Sequence, residues 1–173
     1  VTTVSTNEAG LAYVPGVSNG YYEIKETAAP EGYALNTEVF GVNIDLYDPA
    51  TTDDPRLVVK NEPLPGLRIV KYDRATMKPL ADVTFQVYRD TALVGSYTTD
   101  QSGEIVLTGL TPGTYTVQEV AAPDSHVVNS SPQQIELRAG QTDSATLIFF
   151  NDLKPGIRLV KVDSVTMMPL PNA

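Results

Sequence analysis

The chain has 173 residues, 42% of them hydrophobic, and a formal net charge of −9 from 12 basic and 21 acidic side chains. This composition is sufficient for one or two globular cores and argues against a nucleic-acid or anionic-membrane surface, because phosphate binding requires clustered Lys and Arg. The absence of Cys excludes disulfide bonds and thiolate chemistry. No apolar run reaches the roughly 18 residues needed to span a bilayer.

The sequence repeats itself with a period of about ninety residues. Thr6 to Pro30 aligns with Thr99 to Pro123 at an offset of 93, and the offset becomes 90 from Asn61 onward. The repeat predicts three pieces of one domain type: the later part of a first copy at 1–62, a complete second copy at 67–152 and the opening of a third copy at 157–173. The chain begins without Met and ends within this pattern, so we expect it to be a segment of a longer protein.

Within the second copy, short runs rich in Val, Ile, Thr and Tyr alternate between apolar and polar residues, which predicts β-strands. In chain order the predicted strands are Leu67 to Asp73, Thr84 to Arg89, Leu93 to Thr98, Ile105 to Leu107, Gly113 to Glu119, Gln133 to Arg138 and Ala145 to Asn151. Seven short strands in about 85 residues favour an all-β sandwich of two sheets. The joints between copies contain Pro and Gly, which predicts semi-rigid spacers.

Strand parity places two charged side chains on apolar faces. Side chains alternate between the two faces of a strand, so residues two apart share a face. Lys71 shares its face with Leu67 and Ile69, and Glu119 shares its face with Val117. Both charged residues are therefore predicted to point into the core.

The first copy repeats the pattern at its own acid and carboxamide. Glu26 shares a face with Ile24, and Asn61 shares a face with Val59. For Asn151, at the equivalent place in the second copy, parity leaves the face undecided because both faces of its strand are apolar.

Two interpretations of a buried Lys71, Glu119 and Asn151 follow. Buried charges are usually paired, so the cluster can be an ion pair with Asn151 hydrogen-bonded to it. Alternatively, burial favours a neutral nucleophilic amine on Lys71 and a protonated carboxyl on Glu119. A protonated Glu119 would hydrogen-bond the Asn151 amide oxygen, polarise its carbonyl and relay a proton to the leaving ammonia. The product would be an isopeptide bond between Lys71 and Asn151.

The motifs around these residues resemble a known family. Three segments carry the resemblance. The first is Ile69 to Asp73 (IVKYD), followed by Thr76 and Pro79 to Phe85 (PLADVTF), and the second is Leu159 to Asp163 (LVKVD), followed by Thr166 and Pro169-Leu170. The third, called the box, is Glu26 to Tyr33 (ETAAPEGY). Together they resemble the Cna B-type, SpaA-like domains of Gram-positive surface adhesins and pilins. The resemblance implies tandem transthyretin-like (prealbumin-like) or inverse immunoglobulin-like β-sandwich modules.

The resemblance also implies roles for individual residues. The family carries a Lys on the first strand, a catalytic Glu in the box and an Asn on the last strand. Carried over, the implied residues are Lys71, Glu119 and Asn151 in the second copy, Glu26 and Asn61 in the first copy, and Lys161 in the third copy. The Lys of the first copy is expected upstream of the sequence, and the Glu and Asn of the third copy are expected downstream.

The second copy departs from the box motif. It reads EVAAPDSH from Glu119 to His126, so it keeps the Glu, Ala and Pro and loses the Thr, Gly and Tyr. His126, the single His of the chain, is predicted to be a surface residue because neither a metal site nor a catalytic triad has its other parts. The acidic stretch Asp45 to Pro55 is interpreted as a solvated loop, since it lacks the ligand spacing and Gly of a calcium loop.

The predicted function is a structural stalk module of an extracellular, cell-wall-anchored adhesin or pilin, stabilised by an autocatalytic Lys71–Asn151 bond. Closing a loop of this length is worth about 4 to 5 kcal/mol in the chain-entropy model used for disulfides. The reaction would occur once per module, without turnover or cofactor. Expected partners are neighbouring modules, with host surface or matrix ligands contacted through other parts of the parent protein. The alternatives are a ligand-binding adhesin module and an accessory domain of a larger extracellular enzyme.

Overall fold

The computed structural model describes residues 1–45 and 56–171, and the described chain is built from β-strands, which confirms the all-β prediction. The strands are β1 (Gly20–Lys25), β2 (Val39–Ile44), β3 (Leu67–Asp73), β4 (Thr84–Arg89), β5 (Ala92–Thr98), β6 (Glu104–Leu107), β7 (Gly113–Ala121), β8 (Gln133–Leu137) and β9 (Ala145–Asn151). Within the described ranges, no helix is long and apolar enough to cross a membrane. The acidic stretch after Asp45 lies outside the described residues.

The second copy forms a sandwich of two sheets. One sheet has the strand order β6-β3-β9 and the other the order β5-β4-β7-β8. Strand β3 pairs antiparallel with β6 and parallel with β9, whereas the strands of the second sheet pair antiparallel. The first and last strands of the copy are therefore neighbours that run in the same direction.

The core lies between the two sheets and is filled by alternate residues of the strands. Its buried members are Leu67, Ile69, Val83, Phe85, Val87, Ile105, Tyr115, Val117, Leu137, Leu147 and Phe149. The rings of Phe85 and Phe149 meet across the two sheets, with centroids 4.8 Å apart. Burial of this apolar surface is the main favourable term in folding the module. Any polar group on the same inward faces is consequently removed from water.

The first copy repeats part of this architecture. Strands β1 and β2 pair antiparallel, as β7 and β8 do at the equivalent place in the second copy. Tyr33 forms an isolated bridge with Pro63, and His126 forms the equivalent bridge with Leu153. The strand pair and the bridge of the first copy therefore lie at the same repeat positions as those of the second copy.

Two segments that resemble strands by sequence carry no strand in the structure. Described residues 56–61 correspond to β9, and residues 157–161 correspond to β3. In the second copy these two strands hydrogen-bond to each other. Neither segment has such a partner within its own copy among the described residues, and a β-strand forms only where its backbone groups find ladder hydrogen bonds. Leu159 is consequently 90% exposed.

The joint between the first and second copies is held by backbone hydrogen bonds. Gly140 N–H donates to the carbonyl of Pro63, and Leu110 N–H donates to the carbonyl of Pro65, both at 3.0 Å. Proline restricts the remaining backbone freedom of this segment. These contacts attach the joint to the second copy.

Candidate functional site

Lys71, Glu119 and Asn151 meet inside the second copy. Each residue has at most 1% of its surface exposed. Lys71 Nζ lies 2.7 Å from Asn151 Oδ1, and Asn151 Nδ2 donates to Glu119 Oε1 at 2.5 Å. Lys71 Nζ also lies 3.3 Å from Glu119 Oε2. The amine, the carboxamide and the carboxyl group form a closed triangle without access to solvent.

The strand register explains why these three side chains meet. In the parallel β3–β9 pair, Lys71 lies opposite Phe149 and Asp73 lies opposite Asn151. Because residues two apart share a face, Lys71 and Asn151 are diagonal neighbours on the inner face of that sheet. Glu119 reaches them from β7 of the opposite sheet. The face of Asn151, undecided from its sequence, is therefore the inner one.

The environment of the triangle suits a reactive amine. Burial lowers the pKa of Lys71, because desolvation disfavours the ammonium ion, and the nearby Glu119 carboxyl only partly opposes this shift. Glu119 Oε1 also accepts a hydrogen bond from the backbone N–H of Asn129 at 3.3 Å. Among the described residues, the contact of Glu119 Oε2 is the ion pair with the Lys71 amine at 3.3 Å, and no further hydrogen bond is made to this oxygen. A buried carboxyl group beside a desolvated amine is typical of functional sites.

The contact between Glu119 and the carboxamide differs from the expected one. We expected the acid to hydrogen-bond the amide oxygen of Asn151, but in the structure Glu119 contacts the amide nitrogen. The amide oxygen instead faces Lys71 Nζ. This orientation matches donors with acceptors, since the amide NH₂ group donates to the carboxyl group and the Lys71 amine donates to the amide oxygen.

Glu26 and Asn61 also meet, in the first copy. Asn61 Nδ2 lies 2.8 and 2.7 Å from the two carboxyl oxygens of Glu26, and it donates to the carbonyl of Ala34 at 3.0 Å. The backbone N–H of Asn36 donates to Glu26 Oε2 at 2.6 Å. Asn36 corresponds to Asn129 of the second copy, so both copies hold their acid with the same backbone contact.

Lys161 is the one predicted site residue that the described structure leaves away from any acid–carboxamide pair. It lies in the exposed segment that corresponds to β3. Its backbone carbonyl accepts a hydrogen bond from Leu170 N–H at 2.9 Å, as Lys71 accepts one from Leu80. Lys161 thus keeps the turn that follows a first strand but lies outside a core.

The expectation that His126 is a surface residue is wrong. Only 7% of His126 is exposed, and its Nε2 lies 2.9 Å from Asp73 Oδ2. Asp73 is the last residue of β3, and it lies 53 residues away in sequence, so local pattern does not indicate the contact. The available signal was the repeat offset, which aligns His126 with Tyr33 of the box.

Asp73 makes the module sensitive to acid. Hydrogen bonds from the side chain and backbone of Thr76, followed by the contact with His126, lower the pKa of Asp73 from 3.8 to about 2. Because the carboxyl binds its proton more weakly in the folded state, its contribution is present above pH 3.8 and is lost as pH falls towards about 2. Chemical denaturation at several pH values should show that the stability gap between wild type and Asp73→Asn narrows over this window. Asp163→Asn, at the equivalent position of the third copy, should leave the unfolding of the second copy unchanged.

The structure thus defines a β-sandwich module in which a lysine, an acid and a carboxamide are buried together, with the lysine on the first strand and the carboxamide on the last. The chain belongs to the SpaA prealbumin-like fold domain family, whose model matches residues 1–56 and 65–148. The match confirms the resemblance read from the motifs and the prealbumin-like fold.

The relatives include a surface protein and a pilin. A stretch of 42 residues is 48% identical to the trypsin-resistant surface T6 protein of Streptococcus pyogenes serotype M6, covering 24% of this chain and 8% of that protein. The Bacillus anthracis TIE protein matches at 27% identity and a TM-score of 0.50, over 87% of this chain and 28% of that one. A mutant of the shaft pilin SpaA from Lactobacillus rhamnosus GG shares the fold, with a TM-score of 0.50 and 17% identity over 91% of this chain and 70% of that one. The chain therefore contains domains of the type found in Gram-positive pilins and surface proteins, and it spans a small part of the first two relatives.

Proposed function

We propose that the second copy forms an intramolecular isopeptide bond between Lys71 and Asn151, promoted by Glu119, and that the chain is a stalk segment of an extracellular, cell-wall-anchored adhesin or pilin. One observation carries the proposal: the buried amine lies 2.7 Å from the carboxamide oxygen, with the acid in contact with both groups. An ion pair alone would not need the carboxamide, and buried ion pairs contribute little to stability. The intact mass of the chain is the direct test, since each such bond removes one ammonia.

The two oxygens of Glu119 face the two groups that must exchange a proton. Oε2 lies near Lys71 Nζ, the nucleophile, and Oε1 lies near Asn151 Nδ2, the leaving group. The neutral amine attacks the side-chain carbonyl carbon of Asn151, and the bond from that carbon to Nδ2 breaks. Glu119 accepts a proton on the side of Nζ and returns one to Nδ2, so that ammonia leaves and the carboxyl group is regenerated. The reaction needs no cofactor and occurs once per module.

A covalent bond at this position suits a stalk. It would join the first and last strands of the module across 80 residues of intervening chain. A chain without Cys has no disulfide with which to make such a link. Protease resistance, which the name of the T6 protein states for that relative, would be a natural consequence here, because a closed loop limits local unfolding.

The remaining site residues are proposed as halves of further sites. Glu26 and Asn61 supply the acid and carboxamide of one site, and Lys161 supplies the amine of another. Residues 56–59 line a cleft of about 260 Å³ with Gly10 and Leu11. By the repeat offsets, these segments correspond to β9 and to the start of β6, the two strands that flank β3 in the second copy. The cleft therefore lies where the first copy would place its equivalent of β3, the strand that carries the lysine.

The segment Ile157–Asp163 has the sequence of such a strand, and a second molecule can supply it. We predict that the chain forms covalent dimers through Lys161 of one molecule and Asn61 of the other. The mass of each dimer should be one ammonia below the summed masses of the two separate monomers. A denaturing gel at increasing protein concentration measures these dimers. Lys161→Ala and Asn61→Ala should abolish them, while Lys154→Ala should leave them unchanged. A strictly monomeric gel at high concentration would contradict the prediction.

Other partners follow from the proposed role. Neighbouring modules of the same chain are the immediate contacts, and host surface or matrix ligands would be reached through other parts of the parent protein. The net charge of −9 disfavours nucleic acid as a partner.

A further inference from the structure

A second buried polar contact lies at the end of the lysine-bearing strand. His126 Nε2 lies 2.9 Å from Asp73 Oδ2, and the two side chains are 8% and 9% exposed. Asp73 ends β3, whereas His126 belongs to the loop that follows β7, the strand of the acid Glu119. The contact therefore connects the lysine-bearing strand of one sheet with the loop behind the acid-bearing strand of the other.

Both partners of this contact are held in place by further hydrogen bonds. Asp73 Oδ1 accepts hydrogen bonds from the backbone and the hydroxyl of Thr76, at 2.6 and 2.7 Å. The other ring nitrogen of His126, Nδ1, lies 2.9 Å from the hydroxyl of Ser125. A buried polar network in which each member has a partner is rigid and specifies a single arrangement.

The His126–Asp73 contact lies next to the triangle formed by Lys71, Glu119 and Asn151. Asp73 is two residues beyond Lys71 on the same face of β3, and it lies opposite Asn151 in the β3–β9 register. The loop that carries His126 continues to Asn129, whose backbone N–H donates to Glu119. The His126–Asp73 contact thus fixes the end of the lysine-bearing strand relative to the loop that supports the acid.

The first copy shows that the backbone of this loop closes without a histidine. Tyr33 occupies the position of His126 there, and both residues make the equivalent bridge to the segment after the Asn. Neighbouring backbone bonds also match: Ala34 N–H donates to Glu62 O at 2.8 Å, and Val127 N–H donates to Asp152 O at 2.9 Å. The side-chain bond to Asp73 is therefore an addition to the backbone contacts.

We infer that His126 and Asp73 are positioning residues that clamp the loop of the acid-bearing strand against the lysine-bearing strand. The inference rests on the proposed Lys71–Asn151 reaction and adds to it a residue pair that touches none of the reacting atoms. Misplacement of reacting groups by about 1 Å can cost roughly a hundredfold in rate. Loss of the clamp should therefore slow bond formation without removing any reacting group.

Asp73 is the carboxylate that contacts the His126 ring. The nearby elements carry other charged groups: Arg74 at the end of β3, Asp152 and Lys154 after β9, and Asp124 in the loop itself. Arg74 and Asp152 pair with each other at 3.1 Å near the surface, which leaves Asp73 as the carboxylate in contact with the ring.

The rate of ammonia loss tests the clamp. The full chain is made by cell-free translation, quenched in acidic denaturant at intervals, and the fraction with reduced mass is followed over time. His126→Ala should slow the reaction about 10- to 100-fold. His126→Tyr introduces the side chain that the first copy carries at the equivalent position, and it keeps an aromatic ring with a hydrogen-bond donor, so its rate should exceed that of His126→Ala.

A second measurement is independent of the reaction. In the Lys71→Met background, which cannot react, hydrogen exchange of the Asn129 amide should be faster with His126→Ala than with His126. The clamp is refuted if wild type reacts and His126→Ala reacts equally fast, or if His126→Tyr restores neither the rate nor the protection of Asn129. A wild-type chain that never loses ammonia instead refutes the proposed reaction, and the exchange measurement then still decides whether the clamp holds the loop.

Discussion

The purified chain is expected to have an intact mass one ammonia below the value calculated from its sequence. Bond formation between Lys71 and Asn151 releases the amide nitrogen of Asn151 as ammonia and changes nothing else in the composition. One molecule can lose only one ammonia by itself, because Glu26 and Asn61 have no lysine within hydrogen-bonding distance among the described residues. Mass spectrometry under denaturing conditions measures the deficit. Peptide mapping should recover a branched peptide that contains both Lys71 and Asn151.

Glu119→Gln should restore the calculated mass. Glutamine keeps the size of the side chain but cannot relay a proton, and positioned acid–base groups contribute about 10²- to 10⁴-fold to a rate. Glu26→Gln is the matched control, because it makes the same change at the equivalent position of a copy whose acid and carboxamide have no lysine side chain among their hydrogen-bond partners in the described residues. The monomer should keep its deficit in that variant. A wild-type chain with the full calculated mass would exclude the covalent interpretation, and a Glu119→Gln chain with the deficit would exclude the role of the acid.

Local periodicity was sufficient to predict the strands of the second copy. The predicted bounds of β3, β4 and β9 agree with the structure, and along β9 buried residues alternate with more exposed ones. Strand β7 runs two residues beyond its predicted end, to Ala121. Its extension depends on a register shift in the pairing with β4, where Thr84 lies opposite Ala121. Alternation within one strand contains no information about such a shift, because the shift is set by the neighbouring strand.

Because alternation within one strand carries no information about its neighbours, only some of the site residues could be assigned to the inner or outer face from the sequence. Lys71 and Glu119 lie on strands with clear alternation, so parity alone placed them inward. Asn151 lies on β9, whose outer face is also apolar: the Phe150 ring stacks on Tyr72 at 6.1 Å, and the Arg74 guanidinium lies 5.3 Å from its centroid. An apolar outer face removes the contrast that parity requires. The parallel β3–β9 register, a non-local feature, was needed to place Asn151 inward.

His126 was predicted to be exposed but is buried. A single histidine after a degenerate box motif suggested an exposed residue, because no other component of a site was nearby in sequence. Its partner Asp73 comes from the far end of the module, and the contact exists only after the two sheets have packed. The residue types were informative only through the repeat, which aligns His126 with an aromatic box residue and Asp73 with Asp163.

Pulling on the two ends of the second copy is expected to leave the chain between Lys71 and Asn151 unextended. Force enters at the start of β3 and leaves at the end of β9, and the proposed bond joins these two strands across 80 residues. The covalent link would carry the load, so the enclosed strands would bear none of it. In Glu119→Gln, where the bond does not form, the same segment should unfold and add about 270 Å of contour length, at about 3.4 Å per residue. Single-molecule force spectroscopy of the full chain, held by handles at its ends, measures this difference.

The force experiment also separates the two interpretations of the buried triangle. A non-covalent cluster of an ion pair and a carboxamide would rupture once the sandwich opens, so wild type and Glu119→Gln would both lengthen by the full amount. A covalent bond predicts that only the variant lengthens. The Glu26→Gln chain should behave like wild type, because it leaves Lys71, Glu119 and Asn151 intact. If the wild-type chain unfolds without the extension of about 270 Å, a covalent bond is required, because three hydrogen-bonded side chains would not hold under load. If the wild-type chain shows that extension, the proposed role as a load-bearing stalk is contradicted.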